Sequence, residues 1–471
     1  MPIIDFIVFG IYLLLVLGVG FYFYSKNQNT NDYYVGGRDM SSFHIGLSVV
    51  ATDVGGGFSI GLGGLGFVMG LSGSWMLFTG LIGAWLSAVL VIPRVIHTAR
   101  AQNFLTFPQL LKNNYGAKVA LVAGIISFIG YLGFTSSQLL AGAKLARGVF
   151  PDLSILQALL IMGVVAVVYT VFGGIKAVIY TDTFQWSVLM IGLVFIGIPI
   201  AYYELGGYDS IAQNIPNNFL SLTNVSWVQL INWGVTIIPI WFVGMTLYQR
   251  IFACREEKTA KKAWYIAGLF EWPVMAFMGI ILGLMARVAA DQGLFIAEGF
   301  TSAAGMDPEI GLPMLLKTVL PVGLTGLVLS SYFSAIMSTA DSCLLAASGN
   351  FVTDILGLDE NNPRTIRISQ IITFGLGAAA ILIATSMTQV LDLMLLSYSF
   401  MVSGLLVPVV GMLFSKKKKP LAAMLAMLLG GATTITLEIV LKYTGFEIPF
   451  GFKPVLIGLV ISLLLYLFVN E

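Results

Sequence analysis

An all-α, polytopic membrane fold is what this 471-residue sequence predicts, and three observations carry that expectation. Hydrophobic residues make up 58% of the chain and charged residues only 10%, against about 25% charged in a soluble protein. The apolar residues gather in runs of about 20, long enough to cross a bilayer as a helix. No Walker motif, nucleotide loop or soluble catalytic signature is present, and no linker is long enough to hold such a domain. Enzymatic chemistry is not expected, and any uphill process would draw on an ion gradient.

Thirteen spans are expected, near 3–25, 43–69, 72–96, 119–143, 154–173, 184–203, 227–248, 264–289, 313–352, 366–386, 389–415, 420–441 and 452–469. The first run is too long for a signal peptide and lacks a basic n-region and a small-residue cleavage site, so it is expected to stay as a helix. Short loops on one side hold 18 of the 24 Lys and Arg residues, Lys416 to Lys419 and Arg250 among them. The positive-inside rule then puts the N-terminus outside and the C-terminus in the cytoplasm of a cell (inner or plasma) membrane. A net charge of +1 gives no reason to expect nucleic acid as a partner. Cys254 and Cys343 fall toward the inside, so no disulfide is expected, and His44 and His97 are too few for a metal site.

Spans two to six and seven to eleven form two five-helix sets. Their boundaries are 41–205 and 225–415, after a leading segment 1–40 and before a C-terminal pair, 416–471. This plan suits an inverted repeat, whose discontinuous first helices meet at the bilayer midplane. The first set opens with Ala51-Thr52-Asp53-Val54-Gly55-Gly56-Gly57-Phe58. Each glycine costs a helix about 1 kcal/mol relative to Ala, so unwinding is expected there, and freed carbonyls at membrane depth must line a cavity or bind a cation. The second set opens with a span containing Pro239 and Gly244, and proline predicts a break near Ile237.

Within the ninth span, Ala335, Ser338, Thr339 and Ser342 are spaced i, i+3, i+4, i+7 and share one helical face. That face offers hard oxygen ligands to a small cation. The alternative is hydroxyls bonding neighbouring helices, which is common in membrane bundles. Asp341, beside them, costs roughly 2.5 to 3.5 kcal/mol at the centre of a span unless a partner compensates it. Asp182, with Thr181, suits both a helix N-cap and an ion ligand.

Val35-Gly36-Gly37-Arg38, the Ala51-Thr52-Asp53 segment, Tyr180-Thr181-Asp182, Tyr248-Gln249-Arg250 and Ala335-Ile336-Met337-Ser338-Thr339 occur in order. Together they resemble the sodium/solute symporter family, from about Tyr33 to Asp354. The resemblance implies the leucine-transporter-like fold of five plus five inverted helices, with sodium as the coupling ion and no other cofactor. It implies a principal sodium site made by Ala51, Val54, Ala335, Ser338 and Thr339. It further implies a second cation site at Asp182, Ser338, Asp341 and Ser342. There the chain departs from the family by placing a carboxylate, Asp341, where members with that site keep a hydroxyl.

Sugar-transporting members carry a glutamine and a glutamate where this chain has Phe58 and Leu77. Sialic-acid transporters use an arginine that is missing between Leu121 and Gly142. Proline-transporting members share the acid at Asp53 and an aromatic at Trp241. The resemblance therefore points to a small, amine-bearing solute. Its site is expected from Asp53, Gly55, Phe58, Trp75, Tyr131, Trp241 and Met245, with Phe134 beside Tyr131, and an aromatic wall of this kind also suits choline-like cations. The expected function is sodium-coupled import by alternating access, with a proton-coupled carrier using Asp182 with Asp341, or a sodium/monocarboxylate or choline-type symporter, as the alternatives. A channel would show a continuous polar pore stripe and a sensor an added signalling domain. A monomer in lipid is expected.

Overall fold

The computed structural model describes residues 2–24, 30–38, 40–53, 55–359, 362–445 and 448–469, and Val54 lies outside them. Among the described residues the chain is helical, apart from one isolated bridge between Met40 and Cys254. Among the described residues seven helices are long and apolar enough to cross a membrane, or eight when the bent pair at Gly244 is taken as one span.

Helix α1 (Ile3–Tyr24) is followed by α2 (Ser42–Asp53), α3 (Gly55–Met69) and α4 (Trp75–Leu90). A short helix, α5 (Phe107–Tyr115), opens with a capping box from Thr106 and Gln109 and leads into α6 (Ala117–Val149). The helical run α7 (Ile155–Met190) covers ground where the sequence predicts two spans. Along it, Thr170 bonds Asp341, Asp182 bonds Ser338 and Gly192 faces Val328 of one neighbouring helix.

The second half comprises α8 (Trp227–Val243), α9 (Met245–Ala253), α10 (Glu257–Leu269) and α11 (Ala276–Asp291). It continues with α12 (Pro308–Val319), α13 (Leu324–Gly349), α14 (Pro363–Ala384) and α15 (Val390–Phe414), then α16 (Pro420–Thr444) and α17 (Pro454–Phe468). Two expectations change here. The long span 313–352 divides into α12 and α13, because Pro321 and Gly323, the latter at φ +89°, terminate one helix before the next begins. The buried Asp5 of α1 then accepts the Gly323 and Gly326 amides at 2.6 and 2.9 Å, capping α13 from another helix, as an N-terminal dipole favours.

The expected break near Ile237 also moves. Pro239 sits inside a continuous α8, and the 41° bend falls at Gly244. Gly244 donates to the Ile240 carbonyl at 2.8 Å, closing α8. It then turns extended, at ψ 116°, while the Tyr131 hydroxyl accepts the freed Thr246 amide at 3.2 Å. An outside side chain that satisfies the backbone decides where the helix stops.

Helix α13 lies at the centre, buried along nearly its whole length, against α1, α3, α6 and α7. Helices α3 and α11 cross so closely that a Cβ at Gly66 would strike the Ile280 carbonyl and one at Gly283 the Gly63 carbonyl. Small residues give close dispersion contact where lipid supplies no hydrophobic drive.

Candidate functional site

The interruption between α2 and α3 is tight: α3 resumes at Gly55, whose φ of +49° suits glycine alone. The glycines after it therefore form the first turn of α3 rather than a long unwound stretch. A first-turn amide has no helical acceptor, and here the buried Gln138 of α6 takes the Gly57 amide at 3.1 Å. On the other side of the break, Thr339 Oγ1 lies 2.8 Å from the Ala51 carbonyl and 3.2 Å from the Ala335 carbonyl. A Cβ at Gly55 would collide with that same threonine. Ala51, Gly55, Ala335 and Thr339 thus come together where α2, α3 and α13 meet. The set offers two carbonyls and a hydroxyl, hard donors suited to a small cation. Val54 lies outside the described residues.

Ser338 turns one step away and donates to Asp182 Oδ1, while Ser48 of α2 donates to Oδ2. Into the same place comes Arg250 of α9, which the sequence assigns to a cytoplasmic loop and the structure buries completely. Its position at the end of the bent pair carries it inward. Nε donates to Ser48 Oγ at 3.0 Å, Nη1 to the Thr246 carbonyl at 3.2 Å and Nη2 to Ser342 Oγ at 2.8 Å. Nη2 also reaches Thr52 Oγ1 and lies 3.5 Å from Asp182 Oδ2. The guanidinium therefore occupies the space among Asp182, Ser338 and Ser342 and supplies the positive charge there. Asp341 Oδ1 accepts from Thr170, also on α7, and its Oδ2 has no hydrogen-bond partner among the described residues.

A second anionic cluster forms around Asp53. Its Oδ1 accepts from Tyr398 of α15 at 3.2 Å, and the Tyr398 ring meets Phe134 edge-on at 5.0 Å. The carboxyl of Glu271, in the segment joining α10 to α11, adjoins that of Asp53. Glu271 is fully buried, and among the described residues no donor reaches either of its oxygens. Sequence reasoning missed Glu271, Arg250, Gln138 and Tyr398. An acid inside the 264–289 run was the available signal for the first, since intramembrane acids mark function by default.

The other expected substrate residues spread out. Tyr131 bonds Thr246 Oγ1 at 3.0 Å. Trp241 packs on Trp264 at 6.4 Å and against Gly83, and Phe58 is buried. Two have partners outside this cluster. Trp75 stacks on Trp272 at 6.2 Å and donates Nε1 to the Leu222 carbonyl at 2.8 Å, tying it to the 204–226 loop. Met245 accepts the Phe107 amide on its sulfur at 3.3 Å, facing α5. Met245 opens α9 directly after the bend at Gly244, which sets the direction it faces.

The sodium:solute symporter family model matches residues 33–430. The chain is 27% identical over 436 residues to a high-affinity proline transporter of Bacillus subtilis, covering 89% of each. It is 26% identical over 473 residues to an osmoregulated proline transporter of that bacterium, covering 97% of this chain and 92% of the relative. A sodium/proline symporter of Staphylococcus aureus is 26% identical over 364 residues, covering 75% of this chain and 68% of the relative. The substrate-bound, outward-open structure of a Na+-coupled sialic acid symporter superposes with a TM-score of 0.75 at 20% identity, covering 99% of this chain and 98% of the other. A nucleobase–cation symporter in a closed conformation superposes at 0.56 and 15% identity, covering 92% of both.

Proposed function

The chain belongs to the sodium:solute symporter family and moves a small organic solute with sodium across a membrane that it crosses several times; we propose that this solute carries an amine, held at Asp53. Supporting that reading is one observation above the rest: a buried carboxylate beside the break in the α2–α3 helix, met by a single tyrosine hydroxyl. A buried carboxylate is stabilised by a cation, and an ammonium supplies one. The proline named for the relatives bears such a group.

Sodium sits at Ala51, Val54, Ala335, Ser338 and Thr339, tying the α2–α3 break to α13. Ion binding favours the conformer in which those oxygens converge, in proportion to its differential affinity. The chain makes thirteen spans, with residues 41–205 and 225–415 as inverted five-helix repeats between the 1–40 and 416–471 segments. Its N-terminus is outside and its C-terminus cytoplasmic. A cavity of about 740 Å³ between α8, α15 and α16, lined by Asn232, Asp392, Ser399 and Glu438 among others, opens on the outer side in this orientation. One sodium accompanies each solute, because Arg250 takes the place of a second ion at Asp182; a second would enter only with Arg250 withdrawn.

Uptake by proteoliposomes tests the amine seat. Asp53→Asn keeps the size of the side chain and removes its charge, and uptake of an amine-bearing solute falls tenfold or more, about 1.4 kcal/mol. Near-parental uptake by this variant would remove Asp53 from the site.

A further inference from the structure

Asp53 and Glu271 approach each other from opposite repeats, with the Tyr398 hydroxyl on one side and Gly80 on the other. Glu271 is held in place from behind: a Cβ at Gly80 of α4 would overlap its Oε2, so the carboxyl rests on bare backbone. Its oxygens receive no donor among the described residues. Two carboxyls side by side in a dry interior are relieved by a shared proton, which leaves the pair singly negative, or by a cation.

No fixed positive charge serves the pair. The buried basic side chains among the described residues are Arg38, Lys144 and Arg250. Arg38 donates to the Phe104 carbonyl at 2.7 Å. Lys144 is paired with Asp307 at 2.7 Å and Glu309 at 2.6 Å, and Arg250 with Asp182. The Gly57 amide at the start of α3, a natural seat for a carboxylate, is taken by Gln138.

We propose that Asp53 and Glu271 form a two-carboxylate seat that selects solutes of net positive charge, organic amines without a carboxylate of their own, over zwitterions of the same shape. This rests on the amine reading above and narrows it. A zwitterion would bring its carboxylate into a site with two acids and no free basic partner, and like-charge repulsion there discriminates against it. Glu271 is the specificity-determining member, because Asp53 already has a donor in Tyr398.

Pyrrolidine and proline differ by one carboxylate and test the charge rule directly. Purified full-length protein is titrated with each, and with 1,4-diaminobutane, in sodium and in potassium, following thermal stability and competition for uptake. The expected result is sodium-dependent binding of pyrrolidine at least tenfold tighter than proline, with the diamine also bound. In Glu271→Gln the pyrrolidine affinity falls tenfold or more while proline is unchanged or improved, so the ratio collapses. A merely structural glutamate would weaken both alike, and that result would overturn the proposal. Proline binding as well as or better than pyrrolidine to the parent protein would overturn it too, while leaving the amine reading standing. Binding of none of the three in sodium would overturn both.

Discussion

Replacing Thr339 by valine removes one hydroxyl with almost no change of shape, and its consequences are worked from two distances. Thr339 Oγ1 lies 2.8 Å from the Ala51 carbonyl and 3.2 Å from the Ala335 carbonyl, in a residue with no exposure. The hydroxyl closes the contact between the broken helix and α13 and is one of about five proposed ion ligands. A hydrogen bond to a charged group contributes about 1.5 to 3 kcal/mol, so losing the equivalent contact to sodium weakens its binding about ten- to a hundredfold. At sodium near 100 times its Kd, the ion stabilises the parent by about 2.7 kcal/mol, and a tenfold weaker site leaves about 1.4 kcal/mol. Thermal unfolding against sodium concentration reads that difference, and the sodium dependence of uptake reads it independently. Thr339→Ser keeps the hydroxyl and is expected to stay near the parent. A folded Thr339→Val protein whose half-saturating sodium stays within threefold of the parent would refute the ligand assignment.

Two further variants probe the neighbouring elements. Asp182→Asn leaves the Arg250 guanidinium buried without its counter-ion, a loss of about 3 to 5 kcal/mol for a broken buried pair. A clear drop in Tm is expected, most of it recovered by Asp182→Asn with Arg250→Met; an additive double-variant Tm would show that the two do not act as a pair. Gly55→Ala places a side chain at φ +49° and into Thr339, which costs about 1 to 2 kcal/mol for the backbone alone. Its Tm and sodium affinity are both expected to fall, and parental values for both would contradict the geometry of the break.

What the sequence disclosed was mostly local. The glycine run after Asp53 announced an interruption, and the spacing of Ala335, Ser338 and Thr339 put their oxygens on one face before any neighbour was known. Residues that matter through distant partners were harder to read. Arg250 looked like a topology charge because its span was ended two residues early. Only the bend at Gly244, fixed by a tyrosine from α6, turns it toward Asp182. Glu271 stood in plain view inside an apolar run, yet its meaning depends on Asp53, more than two hundred residues away in sequence. Met245 is expected in the substrate site from a matching position, and the bend at Gly244 turns it toward α5, while Trp75 at the start of α4 stacks on Trp272. The single span expected over 313–352 failed for a local reason: Pro321 and Gly323 carry the stop signal, and the apolar pattern around them hid it.

The central claim is that an inward sodium gradient drives accumulation of an amine-bearing solute. Proteoliposomes containing the purified protein, loaded with potassium and diluted into sodium at fixed pH, measure it directly with radiolabelled pyrrolidine or proline. The account predicts transient accumulation above the external concentration, abolished when potassium replaces external sodium or when sodium is equal on both sides. Accumulation that ignores sodium and instead follows an imposed proton gradient, or uptake that never exceeds equilibration, would contradict it.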